Sequence, residues 1–94
     1  MPMLDYYNCV RLLERLVELD VIQRDPENKD NILVYRDAAE IDPSDRYAPN
    51  WPEGWFSENL MSIASELTSD EEGQNYLLDA YQKRAGKPFE RTTL

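Results

Sequence analysis

The feature that most constrains this chain is an apolar arc near its start. Tyr6, Cys9, Val10, Leu12, Leu13, Leu16, Val17 and Leu19 recur with helical spacing. At about 100° per residue they cover roughly 180° of a helix surface. Asn8, Arg11, Glu14, Arg15 and Glu18 fall on the opposite side. An arc this wide has to contact more than one neighbouring element. The pattern predicts a helix over about 3–19 at the centre of the core, and 94 residues allow one such core and one domain.

The rest of the chain supplies the neighbours. Val21 to Arg24 and Ile32 to Arg36 are β-prone runs on either side of a polar stretch, Asp25 to Asn31. They read as a hairpin over about 21–36 with an exposed loop. Residues 37–56 hold Pro43, Pro49 and Pro52 and show no period, so they read as a long acidic, aromatic loop. A second helix is expected over about 57–68, with Ser57 as N-cap and Phe56 extending its apolar stripe. A third is expected over about 70–85, opened by a capping box from Ser69 to Glu72 and closed by Gly86 and Pro88. Its inner face is read as Tyr76, Leu77, Ala80 and Tyr81. Residues 90–94 are expected to fray. The fold class is α+β: three helices packed with a short antiparallel β-hairpin in a single small domain.

Composition narrows the function. There is no His and one Cys, which removes most nucleophilic and acid–base chemistry and every common zinc site. Cys9 lies on the apolar face, where a free Cys behaves as a small hydrophobe. Asp25, Glu27 and Lys29 occupy alternating positions of a calcium loop, but a lysine at the third is the wrong ligand. We therefore expect no catalytic residues, no metal and no cofactor, and a protein that is not an enzyme. No apolar run approaches the ~20 residues of a membrane span. The start of the chain has no basic segment followed by an apolar one, and no Asn-x-Ser/Thr sequon occurs. The expectation is a cytoplasmic protein without membrane contact.

The net charge is −9, and it is uneven. Residues 1–36 carry −2, residues 73–94 carry +2, and residues 37–72 carry −9, with Arg46 as their single base. Asp70, Glu71 and Glu72 suit the first turn of a helix. Asp37, Glu40, Asp42 and Asp45 have no such local role, and their spacing resembles a row of phosphates in charge. Beside them stand Tyr47, Trp51 and Glu53, within a Pro- and Gly-containing aromatic run that suits an interface anchor. These seven residues are the candidate partner-binding site.

The expected function is a non-enzymatic, acidic protein-binding module. Within that class the charge pattern fits an inhibitor, of the kind phages and mobile elements encode, that covers a basic nucleic-acid-binding surface of a host protein. The partner would be a protein with a basic surface, with no direct contact to nucleic acid; a homodimer is compatible with the pattern. An alternative is an accessory subunit or homo-oligomeric bacterial protein. A further one comes from Leu12 to Pro26 followed by Val34-Tyr35-Arg36. That stretch is similar to the last helix and wing of winged-helix regulators, and the resemblance implies DNA binding. The helix carries Arg11 and Arg15 against Glu14 and Glu18, without the surplus of bases that phosphate contact requires.

Overall fold

A computed structural model describes residues 3–36 and 54–93. In chain order these form α1 (Tyr6–Glu18), β1 (Arg24–Asp25), β2 (Asn28–Tyr35), β3 (Trp55–Asn59), α2 (Leu60–Leu67) and α3 (Glu71–Ala85). The three strands make one antiparallel sheet in the order β1-β2-β3. The architecture is α+β, and the sheet is a meander rather than a lone hairpin.

α1 is the hub. Asp5 caps it by accepting the Asn8 N–H at 2.8 Å. Its far end closes with Asp20 in the left-handed region at φ 61. Asp20 N–H donates to Val17 O and Val21 N–H to Leu16 O, at 3.1 and 2.9 Å. This pair of bonds satisfies carbonyls that a helix end leaves open. Cys9, Leu12, Leu13 and Leu16 are all buried, and they share one core with Ile32 of β2, Leu60, Ala64 and Leu67 of α2, and Tyr81 of α3.

The observed elements depart from the sequence expectations in definite ways. Val21 and Ile22 are spent on the α1 cap, so β1 holds only Arg24 and Asp25. Residues 28–31, expected in the exposed loop, belong to β2, and Asp25 is buried at 6% exposure. β3 was hidden between the expected loop and the expected second helix. Ser57 and Phe56 lie in that strand, and Asn59 is the true N-cap of α2, accepting from Met61 N–H and Ser62 N–H. α3 is capped by Asp70, which accepts the Gly73 N–H at 2.9 Å, rather than by Ser69. Its buried residues are Gln74 and Tyr81, while Tyr76 is 75% exposed. Tyr6, expected in the apolar arc, is also exposed.

Residues 90–93, expected to fray, are packed and hydrogen-bonded against α1. Gln74, near the start of α3, accepts the Leu4 N–H at 2.8 Å, and Arg84 near its end donates to Leu19 O at 3.0 Å. α1 and α3 therefore run parallel. After Gly86, at φ 78, the chain turns back along α1. Phe89 packs edge-on against Tyr81 with ring centroids 5.4 Å apart. Arg11 donates to Glu90 O at 3.0 Å. Asn8 then holds Thr92 at both backbone groups: Thr92 N–H donates to its Oδ1 at 2.8 Å, and its Nδ2 donates to Thr92 O at 3.0 Å. Asn8 is 2% exposed because the returning tail covers what would otherwise be the outer face of α1.

Two substitutions test this packing. Leu16→Ala should lower the unfolding free energy by about 2–5 kcal/mol in chemical denaturation. Asn8→Ala should leave the helices intact but remove the slow amide exchange of Thr92, read by hydrogen-exchange NMR, since its carboxamide is the partner of that amide.

Candidate interaction surface

The seven candidate residues Asp37, Glu40, Asp42, Asp45, Tyr47, Trp51 and Glu53 lie outside the described residues. The described residues define where the segment carrying them leaves the sheet and where it returns. It leaves after Arg36 and returns at Gly54, and these two are joined by an Arg36 N–H to Gly54 O bond of 2.8 Å. One residue further in, Tyr35 and Trp55 are cross-strand partners, with rings edge-to-face at 5.7 Å. Residues 37–53 are thus an excursion from the β2–β3 connection, closed at its base by a ladder-type bond.

That base is reinforced from both sides. Arg36 donates through Nε and Nη2 to Glu58 Oε2 at 3.0 and 2.5 Å and approaches Glu66 at 3.5 Å. The Glu58 bond holds the guanidinium in its charged form, raising its pKa against the opposing effect of burial. Gly54 has φ 99, and a Cβ there would meet the Tyr35 ring at 2.6 Å. Only glycine both adopts that conformation freely and lets the ring lie over the backbone. The Gly in the aromatic run is therefore a requirement of the base.

At the other end of the same strands, one polar network crosses the whole sheet. Ser57 of β3 donates its hydroxyl to Asp25 Oδ2 of β1 and accepts from Asn31 Nδ2 of β2 at 3.0 Å. Glu27 N–H donates to Asp25 Oδ1 at 2.8 Å. The Ser57 hydroxyl, followed by the Glu27 amide, lowers the Asp25 pKa, and burial opposes them.

Beside the base lies an apolar groove of about 420 Å³, lined in part by Tyr35, Trp55, Val21, Ile63, Tyr76 and Leu77. Tyr35 and Tyr76 are 67% and 75% exposed. Tyr76 was expected on the inner face of the third helix and Tyr35 near the end of a β-prone run, and neither was expected at the site. Their exposure follows from the actual strand end and from the α3 register.

Several of the described acids have structural partners. Glu58 and Glu66 neutralise Arg36, Asp70 caps α3, and Glu71 and Glu72 lie in its first turn. Five acids and one base remain in residues 37–53. Burial pushes the Cys9 thiol pKa up, with Asp5 adding to the effect, so Cys9 packs as a neutral side chain. Among the described residues, no three His, Cys, Asp or Glu side chains converge as a metal site, and no helix is long and apolar enough to cross a membrane. No protein-family model, curated protein or solved structure matches the chain.

The Asp25 network gives the sheet a pH dependence. A carboxylate whose folded pKa is depressed contributes stability above its unfolded value and loses it as pH falls through the folded one. The ordinary aspartate value is 3.8. Wild type should therefore lose stability relative to Asp25→Asn as pH falls below 3.8, with the difference between them constant from pH 5 to 7 on the order of experimental error. Denaturant melts of both proteins across that range check it.

Proposed function

We propose that this protein is a non-enzymatic protein-binding module that presents residues 37–53 as an acidic, aromatic epitope to a partner with a basic surface. The observation that carries the reading is the closed base of that segment, the Arg36 N–H to Gly54 O bond between paired strands. A long loop carried by a braced sheet is a common way to hold a binding function. The charge bookkeeping supports the same reading. Residues 37–53 carry five acids against Arg46 alone, a net −4 within 17 residues.

Acids spaced two or three apart would steer a basic partner and pair with its Arg and Lys side chains. Trp51 and Tyr47 would supply desolvated contact, and the adjoining Tyr35–Tyr76 groove offers apolar area to the same partner. A basic surface that accepts a row of carboxylates is one built for phosphates. The class of partner we favour is accordingly a nucleic-acid-binding protein, whose binding face would be covered. An inhibitor is the function that follows.

The experiment is an affinity capture from lysate at low and high salt, with mass spectrometry of the eluate, followed by kinetics with the captured protein. Neutralising Asp37, Glu40, Asp42 and Asp45 to Asn or Gln should leave the melting temperature nearly unchanged. Association should slow by about tenfold or more at low salt, and most of the difference should vanish at 1 M, where the Debye length is about 3 Å. Trp51→Ala should instead speed dissociation, consistent with a loss of about 2 kcal/mol or more. A partner that binds the neutralised variant as fast as wild type at low salt would exclude phosphate mimicry.

The closed base also allows a direct control. Replacing residues 37–53 with Asn-Gly, the favoured two-residue hairpin turn, should leave a folded body with the Tyr35–Trp55 pair intact by NMR. That variant should not capture the partner. Capture by the shortened chain would move the interaction onto the body.

A further inference from the structure

Three of the chain's ten basic residues meet at one small pocket. Arg11 and Arg15 come from α1 and Lys87 from the returning tail, with Tyr81, Phe89 and Glu90 completing the lining. Arg11 and Arg15 are four residues apart on one helix face, a spacing at which like charges destabilise a helix. Arg15 lies in the last turn of α1, where the helix dipole favours a cation. That accounts for neither Arg11 in mid-helix nor Lys87 beyond the end of α3.

The pocket is preformed. Arg11 is half-buried and held by Asn8 Oδ1 at 3.2 Å, by Glu90 O at 3.0 Å, and by the Phe89 ring at 5.2 Å from its guanidinium carbon. Both bonds use Nη1, so its Nε and Nη2 have no hydrogen-bond partner among the described residues. Arg15 is bonded to Glu18 at 3.0 Å, with both side chains more than half exposed. Lys87 makes no ion pair with any described residue. The lining carries three positive charges against the single carboxylate of Glu90, on a chain of net charge −9.

We propose that this pocket binds a phosphate-type oxyanion, as the free ion or as the phosphate end of a small monoester. Arg11 and Lys87 are the lining cations with no carboxylate partner among the described residues, Arg15 being paired with Glu18. The free Nε and Nη2 edge of Arg11 suits oxygen pairs of a tetrahedral anion, and Lys87 closes over it as a mobile point charge. The pocket volume of about 70 Å³ compares with the roughly 10–15 Å³ of the same kind of volume that one water needs. It holds one phosphate group, and any organic remainder projects into solvent past Phe89. The site is independent of residues 37–53.

The test is an NMR titration of the full chain with inorganic phosphate, following backbone amides and arginine Nε–H signals, with sodium chloride of matched ionic strength as reference. Phosphate should give saturable shifts at Arg11, Arg15 and Lys87 that chloride does not reproduce. Lys87→Gln should weaken binding by about tenfold with an unchanged melting temperature in the absence of phosphate. Lys83→Gln, whose lysine pairs with Asp79 at 2.9 Å outside the pocket, should bind as wild type does. Phenyl phosphate binding more tightly than phosphate assigns the site to a monoester; equal or weaker binding assigns it to the free ion. Shifts that chloride reproduces without saturation, or a Lys87→Gln protein that binds like wild type, would overturn the site.

Discussion

Everything in this fold leans on the burial of one helix. Cys9, Leu12, Leu13 and Leu16 of α1 are within 1% of complete burial, and no other element places four side chains so deep. The sheet, α2 and α3 each bury their own apolar residues against them. A domain of this size has one core, and here that core is a cylinder with neighbours on most of its circumference. A cavity in α1 is consequently felt in every layer, whereas a change in β1, two residues long, is felt locally.

Where α1 is not covered by apolar residues, buried polar groups complete the wrapping. Asn8 and Gln74 are each 2% exposed, and each makes backbone contacts distant in sequence. Gln74 bridges Leu4 and Leu67, and Asn8 ties down Thr92. No buried side-chain polar atom among the described residues lacks a partner. Such groups are costly when unsatisfied, so each fixes one arrangement of its neighbours and disfavours the rest. The parallel setting of α1 and α3 and the antiparallel return of the tail are specified in this way rather than by apolar contact alone.

The same distinction decides what the sequence reveals. α1 was legible because its period is strong and its cap local. The end of α3 was legible because Gly86 and Pro88 carry their own conformational signal. β3 was not, because five residues with one fully buried side chain, Phe56, give little alternation, and Ser57 imitates a helix cap. Asn8 and the tail were misread for a different reason. The partner of Asn8 is 84 residues away, and no local pattern announces it. Of the candidate site, the charge surplus of residues 37–53 was plain in the sequence, but the closure of its base was not. Gly54 stands in a conspicuous aromatic run, yet its role depends on Tyr35 from the neighbouring strand. The oxyanion pocket was hidden because Arg11 and Arg15 read as an ordinary outer face until the tail brings Lys87 to them.

Charge of one sign tends to destabilise a compact chain through self-repulsion. This chain separates the problem into two parts. In the body, several acids are matched to cations or to helix starts: Glu58 and Glu66 to Arg36, Asp79 to Lys83, Asp70 to the first turn of α3. Residues 37–53 carry five further acids against Arg46 alone, between two residues of the sheet joined by one hydrogen bond. Repulsion between exposed charges falls off over a Debye length of about 8 Å at physiological salt. On the proposed reading, a partner with a basic surface would relieve part of the chain's self-repulsion on binding, so the charge that costs the isolated chain stability would favour association.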